Sequence, residues 1–185
     1  MPFETSRDLE GYREYLRALA WKWLPIDLRA WIDVSELVQA TLRSAEGASG
    51  DASSKSLAEE AGWLRGLLAE RLNSRLAGRK RAETVSIAEL ERSSARLARL
   101  FPRYQSADGS EERAIAVANL LANHPADQFE ALMLQHCEDW PVEAISRHMD
   151  RSPREVGGLL RRGLRSVLEQ ADSTAASGSR GVIQR

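Results

Sequence analysis

The stretch Trp140–Gln170, WPVEAISRHMDRSPREVGGLLRRGLRSVLEQ, decides how this chain is read. It holds two apolar-periodic runs separated by a break at DRSP, and arginines crowd the second run. Ser152 suits an N-cap, Pro153 suits the first helical position, and Glu155 stands three residues after the cap. That pattern is a capping box with proline at N1, so a helix is expected to start there. At 100° per residue, Val156, Leu159, Leu160, Leu164 and Val167 share one face. Arg154, Arg161, Arg162 and Arg165 take the opposite face, with Gly158 among them. The preceding run sets Val142, Ile145 and Met149 at i, i+3 and i+7. Two short helices across a tight break make a helix-turn-helix, whose second helix normally enters the major groove of DNA. Most charged helix faces are only solvated surface. One-sided arginine with little acid to balance it favours nucleic acid.

Outward from that stretch, composition sets the frame. The chain has 185 residues, 43% apolar and 29% charged, enough for one core or two small ones. Its net charge of −1 provides no global attraction to a polyanion, so DNA binding would have to be local or assisted by a larger partner. The single cysteine, Cys137, excludes an intrachain disulfide. No apolar run is long enough to span a membrane, and the N-terminus is already charged and amphipathic, so a cytoplasmic location with no membrane partner is expected.

Helical periodicity runs through the chain, and no alternating strand pattern competes with it, so the fold class expected is all-α. A first helix is expected from Leu9 to Trp23, ended by Pro25. A second should follow Asp33 as N-cap, with Val34, Leu37, Val38, Thr41, Leu42 and Ala45 inward and Ser35, Glu36, Gln39 and Arg43 outward. Residues 46–56, EGASGDASSKS, read as a flexible loop. A third helix runs from Leu57 toward Gly78 and ends in the basic run Gly78–Arg81. Residues 82–110 read as a connector holding one helix across IAELERSSARLARLF. A second compact unit covers 111–170 and ends in the helix-turn-helix. Residues 171–185, low in bulky apolar side chains, read as a disordered tail. The expected organisation is therefore two small helical modules, 1–81 and 111–170, on a linker.

Several of these segments carry a family resemblance. WIDVSELVQATLRSA (Trp31–Ala45) resembles the core-binding helix in region 2 of bacterial sigma factors, and GWLRGLLAERLNSRLAGRKR resembles the helix after it. SSARLARL (Ser93–Leu100) is similar to the linker of the extracytoplasmic-function (ECF) branch abundant in planctomycetes. VEAISRHMDRSPREVGGLLRRGLRSVLEQ resembles the region 4 helix-turn-helix of that branch. The likeness covers roughly residues 9–170, and its weight comes from the order of the motifs together.

The resemblance implies a promoter-recognition subunit of RNA polymerase that performs no chemistry and needs no cofactor. The first module would dock on a coiled coil of the largest core subunit through Asp33, Ser35, Glu36 and Gln39. It would also meet the minus-10 element through Arg75, Arg79, Lys80 and Arg81. The second module would read the minus-35 element through Ser152, Arg154, Glu155, Gly158, Arg161, Arg162 and Arg165. Core polymerase and promoter DNA are the implied partners, with an anti-sigma factor as a further candidate. One departure is the loop 46–56. Family members often carry an aromatic there, near the pocket for a flipped promoter base; here it has none. Stacking of a base on an aromatic is worth about 1–3 kcal/mol, so promoter opening should be weaker or partner-dependent. The Gly157-Gly158 pair is a second departure, each glycine costing about 1 kcal/mol against alanine.

Two other classes stand beside this reading. An enzyme would need a site, yet His124, His136 and His148 lie twelve residues apart, too far for a local metal motif, and no nucleophile–base pair or phosphate loop is seen. A regulator using only the helix-turn-helix, or a sigma-like adaptor that does not open promoters, differs from a sigma factor in polymerase binding or promoter opening.

Overall fold

A computed structural model describes residues 9–24, 26–29, 31–48, 56–77, 84–99 and 109–179. All regular structure among them is helical. A 3-10 turn, Leu9–Tyr12, leads into α1 (Arg13–Trp23), followed by α2 (Ile26–Arg29), α3 (Val34–Gly47), α4 (Leu57–Leu76) and α5 (Ile87–Arg99). Then come α6 (Ser110–Ala122), α7 (Ala126–Cys137), α8 (Val142–His148) and α9 (Pro153–Ser179). The chain divides into two compact units, 1–94 and 95–185.

In the first unit α1 stops at Trp23, and Leu24 is extended (φ −79°, ψ 121°), as expected for the residue before proline. α3 begins where Asp33 accepts from the amides of Ser35 (2.8 Å) and Glu36 (3.3 Å). α4 begins at a capping box between Ser56 and Glu59. α1, α3 and α4 pack on one another around Leu16, Leu19, Val38, Leu64, Leu68 and Leu72, all fully buried or nearly so. Burying each such side chain contributes about 1.5–3 kcal/mol. The stripe expected on α3 is buried at Leu37, Val38, Thr41, Leu42 and Ala45, whereas Val34 is only half-buried.

Two boundaries differ from expectation. Glu46 and Gly47 belong to α3 rather than to the loop, because Ala45 is buried and the stripe holds the helix for a further half-turn. Ala48 is the C-cap of α3 and Ser56 the N-cap of α4, and residues 49–55 between them lie outside the described residues. Residues 84–94 of the expected connector pack into the first unit. Asn73 donates to the Val85 carbonyl (2.9 Å) and accepts from its amide (2.7 Å), and Val85, Leu90, Ser93 and Ser94 are buried. Trp23 Nε1 donates to the Ser93 hydroxyl at 3.0 Å.

In the second unit α9 is the spine on which α6, α7 and α8 pack. Val117, Leu121, Leu132, Met133, Ile145, Val156, Leu159 and Val167 fill the interior. α7 approaches α9 at Gly163, where an added Cβ would stand 2.8 Å from Leu132 Cδ1. His124 bridges two helices: its Nδ1 lies 3.0 Å from the Leu120 carbonyl and its Nε2 3.1 Å from that of Gly163. The segment expected to be a disordered tail is helical through Ser179. Ala171, Ala175 and Ala176 are strong helix formers, and no proline or glycine intervenes before Gly178. No helix among the described residues is long and apolar enough to cross a membrane.

A candidate nucleic-acid interface on α8 and α9

The break between α8 and α9 has a defined geometry. The Arg151 amide donates to the Ser146 carbonyl at 3.0 Å, the long bond of a Schellman motif, with Asp150 at the left-handed position (φ 50°). Aspartate tolerates this backbone better than most side chains, which explains a turn without glycine. Ser152 then caps α9. Its hydroxyl accepts from the Glu155 amide at 3.3 Å, and Glu155 Oε2 accepts from the Ser152 amide at 2.8 Å and hydroxyl at 2.6 Å. These bonds, with a smaller attraction from Arg151, hold the Glu155 carboxyl below the usual carboxylate range. Glu155 therefore serves the cap first, and one of its oxygens is committed there.

Arg154, Arg161, Arg162 and Arg165 are all exposed, and none makes a side-chain hydrogen bond or ion pair among the described residues. The nearest constraint is steric: Arg162 Nη1 lies 3.2 Å from where a Cβ on Gly158 would stand. Four guanidinium groups on one face of a rigid, capped helix thus keep their full donor capacity. Leu164, expected inside, is 37% exposed. The buried face centres on Val156, Leu160, Gly163 and Val167, and Leu164 lies at its edge.

The residues of the first unit are placed differently. Asp33, Ser35, Glu36 and Gln39 are exposed together at the start of α3. Arg75 is exposed as well, but it pairs with Glu36 at 3.0 Å, joining a residue expected to meet DNA with one expected to meet polymerase. Arg71 reaches the Ser44 hydroxyl. Arg79, Lys80 and Arg81 lie outside the described residues.

Two residues carry more than their sequence context signals. Trp31, just before the α3 cap, is 81% exposed beside the Asp33, Ser35, Glu36 and Gln39 face. Its position outside the helical stripe was the available signal. Gly163 is the close-packing point of α7 on α9, visible in sequence only as a glycine within the inward face. The histidines are dispersed. His124 sets its two ring nitrogens beside two carbonyls and His148 sits 2.9 Å from Glu130, while burial lowers the His136 imidazole pKa, partly offset by Asp139. No group of three or more metal-ligating side chains forms among the described residues.

Comparison with protein-family models, with characterised proteins and with solved structures finds no match to this chain.

Proposed function

We propose that this chain is a promoter-recognition subunit of RNA polymerase, a sigma factor similar to the ECF type, with α8 and α9 reading duplex DNA. One observation carries the reading: α9 begins in a tight turn closed by a capping box and presents four exposed arginines without partners among the described residues. Arginine left unpaired on a rigid helix is poised for phosphate oxygens and guanine edges. Arg154, near the helix N-terminus, is placed to read a base, and Arg161, Arg162 and Arg165 to hold phosphates. The polar face at the start of α3 supports docking on polymerase, and its resemblance to the region 2 helix names that partner.

The decisive experiment reconstitutes the chain with core RNA polymerase and sequences the DNA that the assembly selects and transcribes. A discrete promoter motif is expected. Glu36→Arg with Gln39→Ala should abolish co-purification with core enzyme while helicity is unchanged. Sequence-selective DNA binding by the free chain, with no affinity for core enzyme, would make it a helix-turn-helix regulator instead.

A further inference from the structure

α9 has a second exposed stripe. Leu164 and Leu168 are 37% and 41% exposed and stand one turn apart, so they form an apolar pair on the helix surface. Arg161 precedes the pair and Arg165 lies between its two leucines, whereas Glu169 and Asp172 follow it. At 100° per residue, Arg161, Leu164, Arg165, Leu168 and Asp172 fall within one face, with Glu169 at its border. All four charged side chains are exposed, and none is engaged by another side chain among the described residues. The charges of the stripe therefore run from basic to acidic along its axis, with the two leucines near its middle.

Such an order is complementary to its own reverse. From it we infer that this face of α9 binds α9 of a second copy of the chain, antiparallel, crossing near Ser166 and Val167. In that register Leu164 of each copy meets Leu168 of the other. Arg161 and Arg165 come within reach of Asp172 and Glu169 across the two-fold axis. The contact is isologous, as a two-fold dimer requires. A patch built on two leucines is small, so the dimer is weak and concentration-dependent. Charge pairs set its antiparallel orientation, as they do between coiled-coil helices. A parallel pair would instead set arginine against arginine. The dimer also covers Arg161 and Arg165, so a second copy and a polyanion exclude each other on this face. The pairing itself does not depend on the DNA reading, because it follows from exposure and charge order alone.

Sedimentation of the full-length chain over a wide concentration range at low salt tests it. A reversible monomer–dimer equilibrium is expected. Arg165→Glu and Glu169→Arg should each weaken dimerisation at least tenfold, and the two together should restore it. Leu164→Glu with Leu168→Glu should leave only monomer, with circular dichroism confirming that the helices remain. A chain that is monomeric throughout overturns the inference. So does a dimer indifferent to these substitutions, or one that the charge swap fails to restore. Adding duplex DNA should shift the dimer to a DNA-bound monomer. If the dimer responds to the variants as stated but no DNA binds, the DNA reading fails and this one stands.

Discussion

The arginines of α4 and those of α9 make the instructive contrast. Both helices carry basic residues toward a surface. On α4, Arg71 is taken up by the Ser44 hydroxyl and Arg75 by Glu36, both on α3, so these cations help hold two helices of one unit together. On α9 the four arginines have no such partners among the described residues. A basic run is thus a poor indicator of a binding face until its internal partners are known. An exposed ion pair is worth about 0–1 kcal/mol, but it still satisfies the guanidinium and fixes its direction. An unpaired one stays available for a ligand.

The largest effect expected from this contrast is on DNA binding. Arg161→Ala, Arg162→Ala and Arg165→Ala combined should weaken binding to all sequences alike, by roughly 4–6 kcal/mol in all. The salt slope should flatten by about 3 units. Arg71→Ala with Arg75→Ala should leave both quantities nearly unchanged. Equal losses from the two sets, measured by titration at several salt concentrations, would break the contrast.

Arg154→Ala should cost about 1–3 kcal/mol and relax preference at one or two base pairs. Selection from randomised duplexes reads this directly, and an unchanged sequence preference would move base readout to another residue.

Packing sharpens the comparison within α9 itself. Gly163→Val drives its side chain into Leu132 and should destabilise the second unit by about 1–3 kcal/mol. Gly157→Ala meets only the flexible end of Arg161, 4.0 Å away, and should stabilise by up to about 1 kcal/mol. Denaturant unfolding of the two variants should therefore shift in opposite directions.

The caps come next. Asp33→Ala and Ser152→Ala should each cost about 1 kcal/mol, because each removes the acceptor for the first free amides of its helix. Chemical denaturation resolved by unit should show one loss in each.

The smallest effect is on acid stability. The Glu155 carboxyl is held below its ordinary value of 4.5 by the Ser152 bonds. Its contribution is therefore fully present above that ordinary value and is lost as pH falls through the lower, folded-state value. Glu89 behaves alike through Ser86. Glu155→Gln should flatten the acid limb of an unfolding curve followed by helicity, whereas Arg154→Ala should not.

Much of the fold was legible because its signals are local. The Asp33 and Ser152 caps, the apolar stripe of α3 and the arginine face of α9 depend on residues within a few positions of one another. The candidate site was legible to the same depth: which α9 residues share a face follows from helix periodicity. Its state of pairing was not, since Arg75 finds Glu36 across 39 positions. Nor was the inclusion of residues 84–94 in the first unit, which depends on Asn73 and Trp23 reaching Val85 and Ser93.

By itself, the sequence of this protein determined where helices begin, which class of fold they form and which way each helix faces. Those outcomes follow from capping chemistry and a 3.6-residue period, both set by neighbouring residues. Only the tertiary structure decided which charges stay free, that Leu164 and Leu168 reach solvent, and that Gly163 is where α7 presses on α9. Those depend on which surfaces meet, and close packing between distant segments settles that through side-chain shape at separations no local pattern encodes.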